Sequence, residues 1–110
     1  MSTQKSTAEF LAEQMSHRSV VTYRKLFGEY ALYCEGKVVA LVCDDELFVK
    51  PTEVGRAMIG EVVEKPAYPG AKPSFWIPGE WWDDDDWLSE LICVTANELP
   101  LPKKKSKFIP

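Results

Sequence analysis

Four consecutive acidic residues form the densest group of chemically active side chains in this sequence. Asp83, Asp84, Asp85 and Asp86 follow one another directly, and hard divalent cations prefer carboxylate oxygens. Neighbouring residues at a helix start point in different directions, however, and no glycine-turned loop with alternating ligands accompanies the run. The pattern is typical of a capped helix start with anions at the positive end of the helix dipole, so we expect no metal site.

The single histidine, His17, is the next candidate for catalysis or metal binding. No Ser, Cys or Asp near it has the spacing of a catalytic dyad. One histidine is also too few for a histidine-built metal site within one chain. The sequence therefore offers no catalytic residue and implies no cofactor, and we predict that the protein is not an enzyme.

The three cysteines, Cys34, Cys43 and Cys93, lie inside apolar segments. Their number is odd and none stands in a Cys-x-x-Cys pair, which argues against disulfides and against a zinc site. A free cysteine in such a segment usually behaves as a small buried hydrophobic residue. We predict three reduced thiols with a structural role.

Aromatic residues are concentrated in the last third of the sequence, where they alternate with Pro, Gly and Asp. The members are Phe75, Trp76, Trp81, Trp82 and Trp87. Acidic neighbours repel phosphate, so the cluster differs from the basic and aromatic surfaces that stack nucleic-acid bases. Core packing with a partly exposed rim is the simplest interpretation, and the alternative is contact with a protein or a small ligand through Trp81 or Trp82.

Basic residues are segregated only near the end of the chain, at Lys103, Lys104, Lys105 and Lys107. These lysines are candidate phosphate contacts, but four lysines on a flexible tail give weak, salt-sensitive and sequence-independent attraction. The net charge of −4 also opposes a broad electrostatic contact with nucleic acid. We favour a single domain over 1–102 followed by a solvated tail over 103–110, and we expect no specific nucleic-acid partner.

The composition is that of an ordinary globular protein. Of the 110 residues, 45% are apolar and 27% are charged, a balance that favours neither disorder nor a membrane protein. No apolar run approaches the roughly 20 residues that span a bilayer, and the first ten residues do not resemble a secretory leader. We expect one folded domain in the cytoplasm, with no membrane partner.

The stretch 21–50 is the structural centre of the sequence, because apolar and polar residues alternate there between turn signals. It predicts an antiparallel meander of four strands, at about 21–27, 29–34, 37–43 and 46–50. Gly36 is expected at positive φ in a two-residue turn with Glu35, and Asp44 with Asp45 is expected to form the next turn. A simple register pairs Tyr33 with Val38, Leu32 with Val39, Ala31 with Ala40 and Tyr30 with Leu41.

The segments on either side of the meander predict helices and two further short strands. Helices are expected at 3–17 with Ser6 or Thr7 as the cap, at about 53–59 after Thr52, and from within the acidic run 83–86 to about 97. Strands are expected at 61–64 and 74–77, separated by a proline-rich loop. The predicted fold is α+β in two layers: a curved antiparallel sheet of five to six strands with about three helices packed on it.

Both faces of the two middle strands are apolar in this arrangement. The helices cover one face, so the other needs a loop, a partner subunit or a ligand to shield it. We expect an uncovered apolar patch there, with a shallow groove or a self-association surface edged by Trp81 or Trp82. The candidate partner or ligand surface consists of Tyr30, Tyr33, Trp81 and Trp82.

Two segments of the sequence carry a likeness to a known family. One reads Leu-Phe-Gly-Glu-Tyr-Ala-Leu-Tyr-Cys-Glu-Gly-Lys at 26–37 and continues at 40–42 and 47–50, and the other extends from Tyr-Pro-Gly-Ala-Lys-Pro at 68–73 to Trp87 and Leu88. Together they resemble the TfoX N-terminal domain family. The resemblance implies an α+β fold with a curved antiparallel sheet, and it carries no catalytic residues over. The family is named for bacterial regulators of competence for DNA uptake, which join this domain to a second, helical one, whereas this chain resembles a stand-alone member.

The favoured function is a non-enzymatic cytoplasmic regulatory or interaction module that acts through protein contacts, as a monomer or a homodimer. One alternative is a small-molecule-binding protein or an enzyme that uses the second sheet face, and another is weak nucleic-acid binding. A well-formed apolar pocket with convergent polar groups would favour a small molecule, whereas a flat exposed patch would favour protein contact.

Overall fold

A computed structural model describes residues 3–100 of the chain. This part contains three α-helices, six β-strands and a short 3-10 helix, Gly79–Trp81. None of its helices is long and apolar enough to cross a membrane. The helices are α1 (Lys5–Met15), α2 (Glu53–Ile59) and α3 (Asp85–Glu98), and the strands are β1 (Val21–Leu26), β2 (Glu29–Cys34), β3 (Lys37–Cys43), β4 (Glu46–Val49), β5 (Val63–Pro66) and β6 (Pro73–Ile77).

The six strands form one antiparallel sheet in the order β1-β2-β3-β4-β6-β5. The first four strands are consecutive hairpins, so the predicted meander is confirmed. β6 pairs with β4, and β5 pairs with the outer side of β6, two residues later in the chain than the predicted strand at 61–64. The sheet is not closed and the helices pack against one of its faces, which confirms the predicted two-layer α+β fold.

Three two-residue turns connect the first four strands, and both residues of each turn have positive φ angles. The prediction for Gly36 is confirmed, with φ at +75° beside +54° at Glu35. Two successive positive φ angles are the signature of the type I′ turn, whose twist matches that of paired strands. The other two turns are Phe27-Gly28, at +51° and +83°, and Asp44-Asp45, at +55° and +59°.

A β-bulge in β3 shifts the register of the central hairpin. Tyr33 pairs with Val38 as predicted, but Leu32 pairs with Ala40, so Val39 is an extra residue in β3. The bulge lets both Val39 and Ala40 pack in the core, where each is fully buried. The observed pairs are Leu32–Ala40, Ala31–Leu41 and Tyr30–Val42, which correct the predicted Leu32–Val39, Ala31–Ala40 and Tyr30–Leu41.

The start of α1 differs from the prediction. The helix begins behind Gln4, and neither Ser6 nor Thr7 caps it. Thr7 Oγ1 instead donates to Asp45 Oδ1 at 2.9 Å, and the Gln4 N–H donates to the same oxygen at 3.1 Å. The β3–β4 turn therefore satisfies the first turn of α1, which ties the helix layer to one end of the sheet.

The caps of the other two helices agree with the sequence patterns. Thr52 Oγ1 accepts from the Gly55 N–H at 3.0 Å at the start of α2. Asp84 Oδ1 accepts from the Trp87 N–H at 3.1 Å at the start of α3, with Asp85 and Asp86 in the first turn. The acidic run is therefore a capped helix start, as predicted, and α3 begins within the run at Asp85.

The hydrophobic core lies between the helices and the inner face of the sheet. Alternate residues of the strands contribute one half, and α1 and α3 contribute most of the other. Its largest fully buried side chains are Phe75, Leu11, Met15, Leu32, Leu47, Ile77, Leu88, Leu91, Ile92, Val39, Val42 and Val49. Because this core uses only one face of the sheet, the residues between these positions point to the other face.

Candidate binding site on the open face of the sheet

The sheet face turned away from the helices carries the candidate site, and we call it the open face. Strand pairing aligns one residue from each of five neighbouring strands across its middle: Arg24, Ala31, Leu41, Phe48 and Trp76. By the alternation of side chains, Tyr33, Val38 and Lys50 lie toward one end of this face, and Glu29, Cys43 and Glu46 lie toward the other.

A groove of about 560 Å³ crosses the open face. The small strand residues Ala31 and Cys43, with Leu41, lie beneath it. The β1–β2 turn contributes Leu26 and Phe27, and the loop between β5 and β6 contributes Tyr68. The apolar lining is completed by Val38, and the charged groups are Glu29 and Lys50.

The two charged residues of the groove, Glu29 and Lys50, differ in their hydrogen-bond partners. Glu29 Oε1 accepts from Thr3 Oγ1 at 2.6 Å and from the Asp44 N–H at 2.9 Å. Lys50 is half-buried, and its ammonium group forms no ion pair with any residue from 3 to 100. The groove therefore holds a carboxylate that already has donors and a cation that has no ion-pair partner within this part of the chain.

The thiol of Cys43 is unsuited to nucleophilic chemistry. Burial, together with the smaller effects of the nearby carboxylates of Glu29 and Asp44, raises its pKa to about 11. The thiolate is the reactive form of cysteine, so Cys43 stays protonated and unreactive at neutral pH. Burial also raises the pKa of Cys34, and all three cysteines are free thiols in this structure.

Phe27 is the most exposed large apolar residue of the described chain. Its side chain is 98% exposed at the tip of the β1–β2 hairpin, where its backbone holds the left-handed conformation. Leu26 and Tyr68, which also line the groove, are exposed apolar residues as well. Three exposed apolar residues, Leu26, Phe27 and Tyr68, therefore lie around the groove.

Outside the groove, charged side chains of the open face cover two of its aromatic rings, so less apolar surface is exposed there than expected. The Arg24 guanidinium lies 5.9 Å from the centre of the Tyr33 ring, and the Lys65 ammonium lies 4.4 Å from the Trp76 ring. Such cation–π contacts shield aromatic faces from water. Phe48, between these rings, is buried, so these three aromatic side chains add little exposed apolar surface to the open face.

The two candidate tyrosines lie on opposite faces of β2. Tyr33 is half-buried on the open face and borders cavities next to the groove. Tyr30 borders the groove, but its side chain is only 6% exposed and its ring packs edge-on against Tyr23 in the core. Tyr33 therefore lies on the open face outside the groove, whereas Tyr30 lines the groove with a ring that is largely buried in the core.

The two candidate tryptophans do not border the groove. The ring of Trp82 packs against the core, its Nε1–H donates to the Ile77 carbonyl at 3.2 Å, and its own carbonyl accepts from Gln14 of α1. Trp81 packs edge-on against Trp87, with ring centres 5.5 Å apart. The 3-10 helix before α3 thus directs both rings to the helix layer, and the groove is edged by Phe27 and Tyr68 instead.

Comparison with known proteins agrees with this fold. Residues 13–98 match the family model described as the TfoX N-terminal domain. The chain belongs to the TfoX N-terminal domain family. A protein of Spirochaeta aurantia, described as "Uncharacterized 12.7 kDa protein in trpE 5'region", is 37% identical to it over 105 residues, which cover 96% of this chain and 90% of the relative. That description states no activity, so it supports no particular reaction.

The remaining polar candidates of this TfoX N-terminal domain lie in the helix layer. His17 Nε2 is 3.7 Å from Asp86 Oδ1, and the Arg18 guanidinium is 3.2 Å from the same oxygen. All three side chains are exposed, which is the setting of surface ion pairs. Within residues 3–100, no three His, Cys, Asp or Glu side chains are grouped to hold a metal ion. Lys103, Lys104, Lys105 and Lys107 lie outside the described residues.

Two residues of the candidate site in this TfoX N-terminal domain were not singled out from the sequence. The sequence pattern includes Phe27 in the strand at about 21–27, although a Phe-Gly pair between two runs of strand residues has the spacing of a two-residue turn. The sequence pattern ends a strand at Lys50, and no sequence signal shows that this residue borders a groove. The turn at Phe27 could have been recognised from spacing, whereas the position of Lys50 depends on the loop that carries Tyr68.

Proposed function

We propose that this chain is a cytoplasmic, non-enzymatic regulatory module that binds a protein partner, or a second copy of itself, through the rim of the groove on the open face. The observation that carries this proposal is the position of Phe27. Its ring is 98% exposed, and it stands at the tip of a hairpin beside two further exposed apolar residues.

Neither the backbone nor packing accounts for a phenylalanine at this position. The first residue of a type I′ turn needs positive φ, which Asn, Asp and Gly adopt readily. A bulky residue in that conformation costs roughly 1–2 kcal/mol, and Phe27 recovers none of this by burial within the chain. Places where a sequence breaks local rules without internal compensation are typically functional. Contact with another molecule supplies the missing compensation.

Family membership supports a regulatory role of the kind for which the TfoX regulators are named. The chemistry of the chain agrees with a role that requires no catalysis. The Cys43 thiol is held protonated by burial, and His17 is exposed in the helix layer, on the other side of the sheet from the groove.

A photo-crosslinking experiment tests this proposal. A benzophenone amino acid is placed at position 27 and, in a matched variant, at position 54, because Val54 is also an exposed apolar residue, 47% exposed, but lies on α2. Both proteins are irradiated in cells that naturally produce the chain. We expect defined adducts, to a partner or to a second copy, from position 27 and none of them from position 54. The same adducts from both positions, or none from 27, would refute the proposal.

A further inference from the structure

The groove beside Phe27 has a chemistry of its own, separate from the exposed rim. Lys50 is the one cation among the residues that line it, and Glu29 is the one carboxylate. The Glu29 carboxylate accepts hydrogen bonds from Thr3 and from the Asp44 N–H. Lys50 forms no ion pair with any other residue in the 3–100 region. Neither charge is neutralised by an ion pair in this region, but Glu29 already has hydrogen-bond donors, so the Lys50 ammonium is the charged group open to a ligand.

The shape of the groove suits a small molecule better than a peptide chain. Its volume of about 560 Å³ falls within the roughly 300–1,000 Å³ of ligand pockets. The β1–β2 turn and the loop carrying Tyr68 border it on two sides. The strands beneath it, β2 and β3, are paired on both edges, so they offer no free backbone groups for a peptide strand to extend the sheet.

We propose that this groove binds a small amphipathic carboxylate. The apolar body of the ligand packs on Ala31, Val38 and Leu41, and its carboxylate pairs with the Lys50 ammonium at one end. Apolar walls with one or two placed polar groups are the usual composition of such sites. A charge-assisted hydrogen bond in a partly desolvated groove is worth about 1.5–3 kcal/mol, which corresponds to roughly tenfold to a hundredfold in affinity.

Decanoate is a suitable probe, with decyltrimethylammonium and decanol as matched ligands that share its chain length but carry a positive or no charge. Binding to the unmodified protein is measured by calorimetry, and amide chemical shifts locate the ligand. We expect decanoate to bind at least tenfold more tightly than decyltrimethylammonium, with shifts centred on the groove. This comparison needs no variant, so it holds whether or not a substitution disturbs folding.

The Lys50→Met variant tests the role of the cation, and Lys25→Met is its control because Lys25 is an exposed residue of β1 that does not line the groove. We expect K50M to weaken decanoate binding at least tenfold and to leave decanol binding unchanged, and K25M to change neither. The proposal is overturned if decanoate does not bind at millimolar concentration, if the cationic ligand binds as well, or if K50M retains full affinity. It is also overturned if an acidic peptide occupies the groove and decanoate does not. These binding measurements test the groove alone, so their outcome can differ from that of the crosslinking experiment at position 27, which tests the partner contact.

Discussion

At position 27, a phenylalanine occupies a backbone conformation that asparagine or glycine adopts more readily. The Phe27→Asn variant keeps the type I′ turn and removes an exposed ring, so we expect it to raise the free energy of unfolding by about 1 kcal/mol. For a domain of this size, that gain corresponds to a rise in Tm of about 4–8 °C. Differential scanning calorimetry checks it. A lower Tm would mean that the ring stabilises the fold, and the argument for an external contact would fail.

The buried thiol of Cys43 makes stability depend on pH in the alkaline range. Burial raises its pKa in the folded state from 9.0 to about 11, so the folded protein binds this proton more tightly than the unfolded chain does. The resulting stabilisation is complete below pH 9 and is lost as the pH rises through about 11.

A Cys43→Ala variant isolates this effect. Its Tm deficit relative to the unmodified protein is expected to shrink between pH 8 and pH 11, because alanine has no proton to lose. Melting curves at the two pH values provide the measurement. A deficit that is constant over this range would show that the thiol pKa is not raised in the folded state.

At the scale of elements, the hairpin turn at Gly36 requires glycine for its backbone conformation and not because a larger side chain would lack room. Gly36 and Gly79 both have room for a methyl group, since no atom lies within 4 Å of the Cβ that alanine would add, but only Gly36 has positive φ. We expect Gly36→Ala to lower the free energy of unfolding by about 1 kcal/mol. The Gly79→Ala control should change it by much less. Urea denaturation compares the two, and equal effects would contradict the turn argument.

The strands and turns of the meander could be predicted from alternation and spacing, but the bulge could not. Val38, Val39, Ala40 and Leu41 are all apolar, so the sequence pattern does not show which of them is the extra residue. One residue of shift exchanges the two faces of a strand. For this reason the predicted register has Ala40 on the same face as Ala31, where the structure has Leu41.

The candidate surface was only partly predictable for a related reason. A groove on the second sheet face follows from apolar residues on both sides of the middle strands. The directions of Trp81 and Trp82, in contrast, depend on the hydrogen bonds from Trp82 to Ile77 and from Gln14 to Trp82. Such contacts between distant parts of the chain leave no local pattern in the sequence.

At the scale of the whole molecule, the charge distribution opposes binding to nucleic acid. All seventeen acidic residues precede residue 101, whereas four of the thirteen basic residues lie at 103–107. We therefore expect only weak retardation of DNA in gel-shift assays, lost near about 150 mM salt. Deletion of 103–110 should abolish it at low salt too. Sequence-selective binding that survives both treatments would place nucleic acid ahead of protein as the partner.

The most direct test of a contact surface centred on Phe27 compares Phe27→Asn with Val54→Asn, which removes an exposed apolar side chain outside this surface. Each tagged variant and the unmodified chain are used to capture binding proteins from the native cell, with isotope-labelled quantification, and sedimentation equilibrium reports self-association. The account predicts that F27N reduces capture of a specific protein, or dimer formation, at least tenfold while raising Tm, and that V54N leaves both unchanged. Undiminished capture and self-association by F27N would contradict it.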